Sequence, residues 1–121
     1  MVPPTTPPDD WDILGMRSYA RALGSGTRLR ILQRLSENPD QGVAELSEVV
    51  GHSPPLVSWH VRRLRQAGLV RARREGRLVK YSLVADQLEA LHQELTTYLE
   101  HLVTVQKAHT SERPDSGAAR S

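Results

Sequence analysis

The chain of 121 residues has no cysteine and no phenylalanine, and its aromatic content is two tryptophans and three tyrosines. Lacking cysteine, it can form no disulfide, thiolate metal site, iron–sulfur cluster or cysteine nucleophile, and it suits a reducing compartment. No apolar run approaches the ~20 residues that cross a bilayer. The opening MVPPTTPPDD has neither the basic nor the apolar region of an export signal. A cytoplasmic protein with no membrane partner is expected. The five histidines, at 52, 60, 92, 101 and 109, fall in no metalloprotease pattern, and no glycine-rich phosphate loop is present. Nor does any Ser-His-Asp set have the structural context a triad needs, so an enzyme is not expected.

The charge is unevenly placed. A formal net charge of +2 divides into −2 over residues 1–50, +7 over 51–80 and −3 over 81–121. The central stretch holds Arg62, Arg63, Arg65, Arg71, Arg73, Arg74, Arg77 and Lys80 against Glu75 alone. Such an excess reads as an anion-binding surface, and nucleic acid is the commonest large polyanion. The alternative is a solvated basic face without a partner.

The length fits one domain. Residues 1–8 contain four prolines and 110–121 are small, polar and unpatterned, so both are expected to be disordered tails around a folded unit over 9–109. A first helix is expected after Asp9, Asp10 and Asp12, with Ile13, Leu14, Ala20 and Leu23 inward. A second spans Thr27 to Glu37, with Ser25 as N-cap and Leu29, Ile31, Leu32 and Leu35 forming its apolar stripe. Asn38 to Gly42 mark a turn. A short helix runs from Val43 to Val50, with Leu46 and Val50 inward and Gly51 just past its end.

A fourth helix begins at Ser53 as cap with Pro54 at its first position, where a missing N–H is harmless. At about 100° per residue, Val57, Val61 and Leu64 face the core. Pro55, Trp59, Arg62 and Gln66 lie opposite, with Ser58 and Arg63 on the flanks, a set of donors and apolar contacts suited to the major groove. After Ala67-Gly68, LVRARR and RLVKYSL alternate around a turn expected at Glu75-Gly76, giving a hairpin with Val79, Tyr81 and Leu83 in register. Its basic residues suit phosphate contact, or alternatively protect an exposed strand edge from aggregation.

The last helix is expected from Asp86 to about His109. Leu88, Leu91, Leu95, Tyr98, Leu102 and Val105 step along it at the spacing of a heptad seam. Homodimerisation through this seam is the economical reading, and packing wholly onto its own domain is the other.

Four helices, a hairpin and a long helix in this order make a mainly α, dimeric winged helix-turn-helix. The stretches LGSGTRLRILQRLSE and ELSEVVGHSPPLVSWHVRRLRQAGLVRARREGRLVKYSL resemble the ArsR/SmtB family of small dimeric bacterial transcription regulators over residues 22–84. The resemblance implies a recognition helix from Ser53 to Ala67 and a wing over 69–84. It places Ser53, Pro54, Pro55, Ser58 and Trp59 in the major groove, and His60 matches the family's S-x-H. It sets Arg62, Arg63 and Arg65 near phosphates, and Arg73, Arg74, Arg77 and Lys80 near the adjacent minor groove. Pro54-Pro55 departs from the family's polar pair and shifts readout toward Ser58, Trp59 and the arginines. Ser25-Gly26 replaces the family's usual Asp-Pro at the start of the second helix.

The resemblance implies a sequence-specific regulator that binds double-stranded DNA, an inverted repeat, as a homodimer. The family's thiolate sensing is excluded by the missing cysteine. Its Asp-x-His site is broken, because Asp86-Gln87-Leu88 puts a leucine where the histidine belongs and His101-Leu102-Val103-Thr104 lacks a second ligand. Glu89, His92, Glu100, His101 and His109, together with Glu94, remain as ligand types for Ni, Zn or Co. A metal-responsive regulator using them is one alternative, and ordinary polar flanking of the seam is the plainer account of the same residues. A DNA-binding subunit with a separate sensor protein is the other.

Overall fold

The computed structural model describes residues 10–112, which form two compact units: Asp12–Leu91, and residues 10–11 with 92–112. The first unit contains α1 (Ile13–Leu23), α2 (Gly26–Glu37), α3 (Val43–Val50), α4 (Pro54–Gln66), β1 (Val70–Glu75), β2 (Leu78–Leu83) and the start of α5 (Ala85–Glu112). Asp9 and the stretches 1–8 and 113–121 lie outside the described residues.

The core of the first unit is aliphatic. Ile31 and Leu35 of α2, Leu46 of α3, Val57, Val61 and Leu64 of α4, and Leu69 before β1 are all essentially inaccessible, and no polar or charged residue among those described is fully buried with them. This is the face that helical spacing selected for α3 and α4. Two expectations fail. On α1 the buried residues are Met16, Tyr19 and Ala22, while Ile13 and Leu14 are 54% and 74% exposed and Ala20 is exposed. The helix turns its less apolar side to the core of its own chain and leaves its most hydrophobic pair outside. On α2, Leu29 is likewise half exposed, because Ile31, Leu32 and Leu35 already fill the inward arc.

The helix ends have identifiable causes. Asp12 caps α1 by accepting the Gly15 N–H at 2.9 Å, and Ser25 caps α2 by accepting the Arg28 N–H at 3.3 Å. The Ser25-Gly26 pair therefore starts α2 without the family's usual residues. Glu45 accepts the Gly42 N–H at 2.7 Å at the start of α3, and Gly51 ends that helix with φ 74°.

The strands pair antiparallel, with Arg71 opposite Ser82, Arg73 opposite Lys80 and Glu75 opposite Leu78. The tight turn is thus Gly76-Arg77, with Gly76 at φ 65°, and not Glu75-Gly76 as expected. Glu75 remains in the ladder, and the turn needs positive φ first, which glycine adopts without a Cβ clash. A third element joins the hairpin: Gln41 and Tyr81 exchange backbone hydrogen bonds of 3.1 and 2.8 Å, so the 38–42 segment is also an edge partner of β2.

α5 is longer than expected, 28 residues or about 42 Å at the helical rise. Leu88, Leu91, Leu95 and Tyr98 on it are half-buried, whereas Leu102 and Val105 are exposed, as are Leu99 and Val103 beside them. In the second unit Trp11 packs edge-on against Tyr98 at 5.3 Å and tilted against His101 at 5.6 Å. Among the described residues no helix is long and apolar enough to cross a membrane.

Candidate nucleic-acid interface

α4 carries the reading face. Its inward residues are buried by the core, which fixes its rotation, and Pro55, Trp59, Arg62, Arg63, Arg65 and Gln66 are left exposed. Its N-terminus departs from the expectation for Ser53. The residue sits at the cap position, but its side chain accepts no hydrogen bond from the helix. A cap oxygen normally takes an N–H from the second or third helical residue. The second helical residue, Pro55, has none to give, and the N–H of the third, Leu56, makes no bond to the Ser53 side chain. Among the described residues the Leu56 N–H has no backbone partner, and the Ser53 hydroxyl is free of any bond to the helix.

Trp59 is 42% exposed and bracketed by cations, with the Arg28 guanidinium 5.7 Å and the Arg63 guanidinium 5.1 Å from its ring centre. Arg28 is fixed. Its Nε donates to the Ala22 carbonyl at 2.8 Å, one Nη donates to the Arg21 carbonyl at 2.9 Å, and the other lies 3.1 Å from His60 Nδ1. Arginine only donates, so His60 Nδ1 accepts and its proton is carried on Nε2. Burial first, then the charge of Arg28 and the nearby His52, hold the His60 imidazole below its ordinary value. Burial and the neighbouring Arg63 and Arg21 charges lower Arg28 in turn. His60, which the resemblance matches to the S-x-H of the DNA-binding helix, is half-buried and engaged with α2.

The wing divides its basic residues into two kinds. Arg73 is 2.8 Å from Glu75 and 3.3 Å from Asp40, and Lys80 is 3.6 Å from Glu45. Arg73 and Lys80 face one another across the ladder, a like-charge pair that would cost stability without those carboxylates. The Ser82 hydroxyl and Arg73 hold the Asp40 carboxyl below the usual range. Arg71, Arg74 and Arg77 make no ion pair among the described residues and are exposed. A shallow groove of about 380 Å³ joins Arg62, Arg65 and Gln66 of α4 to Arg71 of β1, so helix and wing present one continuous basic surface.

Of the metal-ligand types on α5, the structure assembles no group of three His, Cys, Asp or Glu among the described residues. His92 Nε2 lies 3.5 Å from Thr96 Oγ1, His101 is held against Trp11, and Glu89, Glu100 and His109 are exposed. Within one chain these groups do not fit a metal centre.

Sequence reasoning missed Arg28, which reads as one more solvated arginine beside an apolar stripe although its partner His60 is 32 residues away. It also gave no separate role to Asp40, whose φ of 62° and contacts with Arg73 and Ser82 tie the turn before α3 to the wing.

A buried-core helix-turn-helix followed by an antiparallel wing, with unpaired arginines along both, defines a winged-helix DNA-binding module. A family model described as winged helix-turn-helix DNA-binding matches residues 25–71. The HTH-type transcriptional regulator KmtR of Mycobacterium tuberculosis is 38% identical over 84 residues, which span 69% of this chain and 63% of that protein. The regulator NmtR of the same organism is 35% identical over 99 residues, 82% of each chain. A homodimeric winged helix-turn-helix DNA-binding domain from Mycobacterium bovis, described as a possible ArsR-family regulator, superposes with a TM-score of 0.60 at 27% identity, over 74% of this chain and 83% of that one. The chain belongs to the ArsR/SmtB family of DNA-binding transcriptional regulators, a class of regulators and not of enzymes.

Proposed function

We propose that two copies of the chain bind an inverted-repeat operator and regulate transcription from it. Each α4 reads a half-site, with the two separated by roughly one duplex turn, ~34 Å. The observation that carries this reading is the exposed face of α4, where Trp59 stands between Arg28 and Arg63 beside a groove that continues through Arg62 and Arg65 to Arg71. Ser53, Pro54, Pro55, Ser58 and Trp59 enter the major groove. Arg62, Arg63 and Arg65 bind phosphates with the unpaired wing residues Arg74 and Arg77, while Arg73 and Lys80 contribute less because carboxylates already hold them. His60 supports the face through Arg28.

The exposed Leu99, Leu102, Val103 and Val105 of α5 widen the seam of Leu88, Leu91, Leu95 and Tyr98, and they supply the dimer surface. The homodimeric state of the Mycobacterium bovis domain supports it. A DNA-bound role places the chain in the cytoplasm.

Substitution on α4 tests the reading. Arg62→Ala should weaken every duplex alike, whereas Trp59→Ala and Ser58→Ala should narrow the gap between operator and unrelated sequence. Equal behaviour of the three variants would refute the assignment.

A metal-responsive form using Glu89, His92, Glu100, His101 and His109 for Ni, Zn or Co requires ligands from a second chain, because one chain brings no three together. Calorimetry with the three ions tests it, and affinity no tighter than that of an unstructured histidine peptide would remove it. Sensing by a separate protein predicts a second component recovered with the chain on its operator, and recovery of the regulator alone counts against it.

A further inference from the structure

A second polar concavity opens between the end of α1 and the inner flank of α4. It has a volume of about 390 Å³ and is lined by Ser18, Arg21, Arg28, Trp59, Arg63 and Gln66, with Ala22 and Gly24 completing the wall. Three guanidinium groups meet there, no acidic residue lines it, and among the described residues none of the three arginines makes an ion pair. The mutual proximity of like charges is unfavourable as it stands. Burial first, and then the charges of Arg63 and Arg21, lower the proton affinity of Arg28.

The geometry is that of a prepared receptor. Arg28 is locked by the Ala22 and Arg21 carbonyls and by His60, which use three of its five N–H donors and leave two. Fixed donors lose little freedom on binding. A ligand there would add a hydroxyl from Ser18, an amide from Gln66 and forked donors from Arg21 and Arg63, the set that recognises an oxyanion. The exposed arginines of the groove and wing suit the convex backbone of a duplex. By contrast, a half-buried, pinned guanidinium in a concavity suits a small molecule that can enter it.

We propose that this cleft is an effector site for a small oxyanion-bearing molecule, a carboxylate or phosphate, whose binding is coupled to DNA through Trp59 and Arg63. The coupling rests on the proposed reading of α4, because both residues belong to that face. An anion drawing Arg63 inward removes a phosphate contact and changes the setting of Trp59, so effector and operator oppose one another. By linkage, each lowers the affinity for the other by the same factor.

The test uses the full chain, with inorganic pyrophosphate and salicylate as probes and ionic strength held constant with sodium chloride. Calorimetry without DNA reads binding directly. Trp59 fluorescence in a Trp11→Phe variant reports whether the cleft is the place. Saturable binding of a probe is expected, with Trp59 responding and Arg21→Gln weakening it at least tenfold. Arg21 is exposed and lies outside the proposed DNA contacts, so the variant should fold and bind operator with an unchanged salt dependence. Operator affinity should fall on saturation with the probe in the parent and not in Arg21→Gln.

Absence of saturable binding by both probes overturns the proposal, and it does so independently of whether the chain binds DNA. Loss of salt dependence in Arg21→Gln without any probe would also overturn it, since the cleft would then hold a backbone phosphate.

Discussion

The division of the wing into paired and unpaired arginines makes a quantitative prediction. Arg73 and Arg74 are neighbours on β1, identical in chemistry, and a composition-based account treats them alike. In the structure Arg73 is shared between Glu75 and Asp40, and Arg74 has no acidic partner among the described residues. Each phosphate neutralised contributes about −0.9 to the slope of log affinity against log salt, so one arginine per protomer contributes about −1.8 in a dimer. Arg74→Ala should therefore flatten the slope by ~1.8. Relative to the parent, the loss would shrink by roughly twelvefold in affinity between 50 and 200 mM salt. Arg73→Ala should change the slope by less than half that amount, because binding through Arg73 requires displacing its carboxylates. Fluorescence anisotropy with a labelled operator at five or six salt concentrations measures both slopes. Equal slopes for the two variants, or a larger effect at Arg73, would refute the reasoning that the ion pairs withhold Arg73 from DNA.

Other expectations follow from the core, the histidine and the seam. Leu64→Ala removes a fully buried side chain of α4 and should cost about 2–5 kcal/mol in chemical denaturation, with an unchanged parent value counting against the packing described. His60 has a lowered proton affinity in the fold, so below its ordinary value of about 6.5 the unfolded chain takes up a proton that the folded chain resists. Its contribution to stability should thus be full at neutral pH and decline as pH falls below that value, and His60→Gln should flatten this part of the profile. Burial is the main cause of the shift, and Arg28 and His52 are the charged or titratable neighbours that add to it. Leu102→Arg places a charge on the exposed part of the seam, and sedimentation should show monomers at concentrations where the parent is dimeric. An unchanged dimer would move the interface elsewhere.

The helix-turn-helix was legible in the sequence because each of its signals is local and mutually consistent: the stripe of α2, the Gly51 stop, the prolines at the head of α4 and the 57-61-64 spacing. α1 misled for a physical reason. Ranking by hydrophobicity selects Ile13 and Leu14, whereas packing of a single chain selects Met16, Tyr19 and Ala22, the arc facing the core. The basic excess of the 51–80 stretch is visible in the sequence, but which of its side chains are free of a carboxylate is not. Whether a basic side chain such as Arg73, Lys80 or Arg28 is free depends on partners such as Asp40, Glu45 and His60, which lie 32 to 35 residues away along the chain. The Ser53 cap is weakened on a point visible in the sequence, since Pro55 removes one of the two N–H groups, those of Pro55 and Leu56, that the cap could accept.

The central claim is sequence-specific recognition by a pair of α4 helices, and the direct measurement is a titration of the chain against the DNA upstream of its own coding region. At about 150 mM salt the account predicts saturation at two chains per inverted repeat, with affinity at least ~10³-fold above that for a scrambled duplex of the same length. Equal affinity for the scrambled duplex, or saturation at one chain per site, would contradict it.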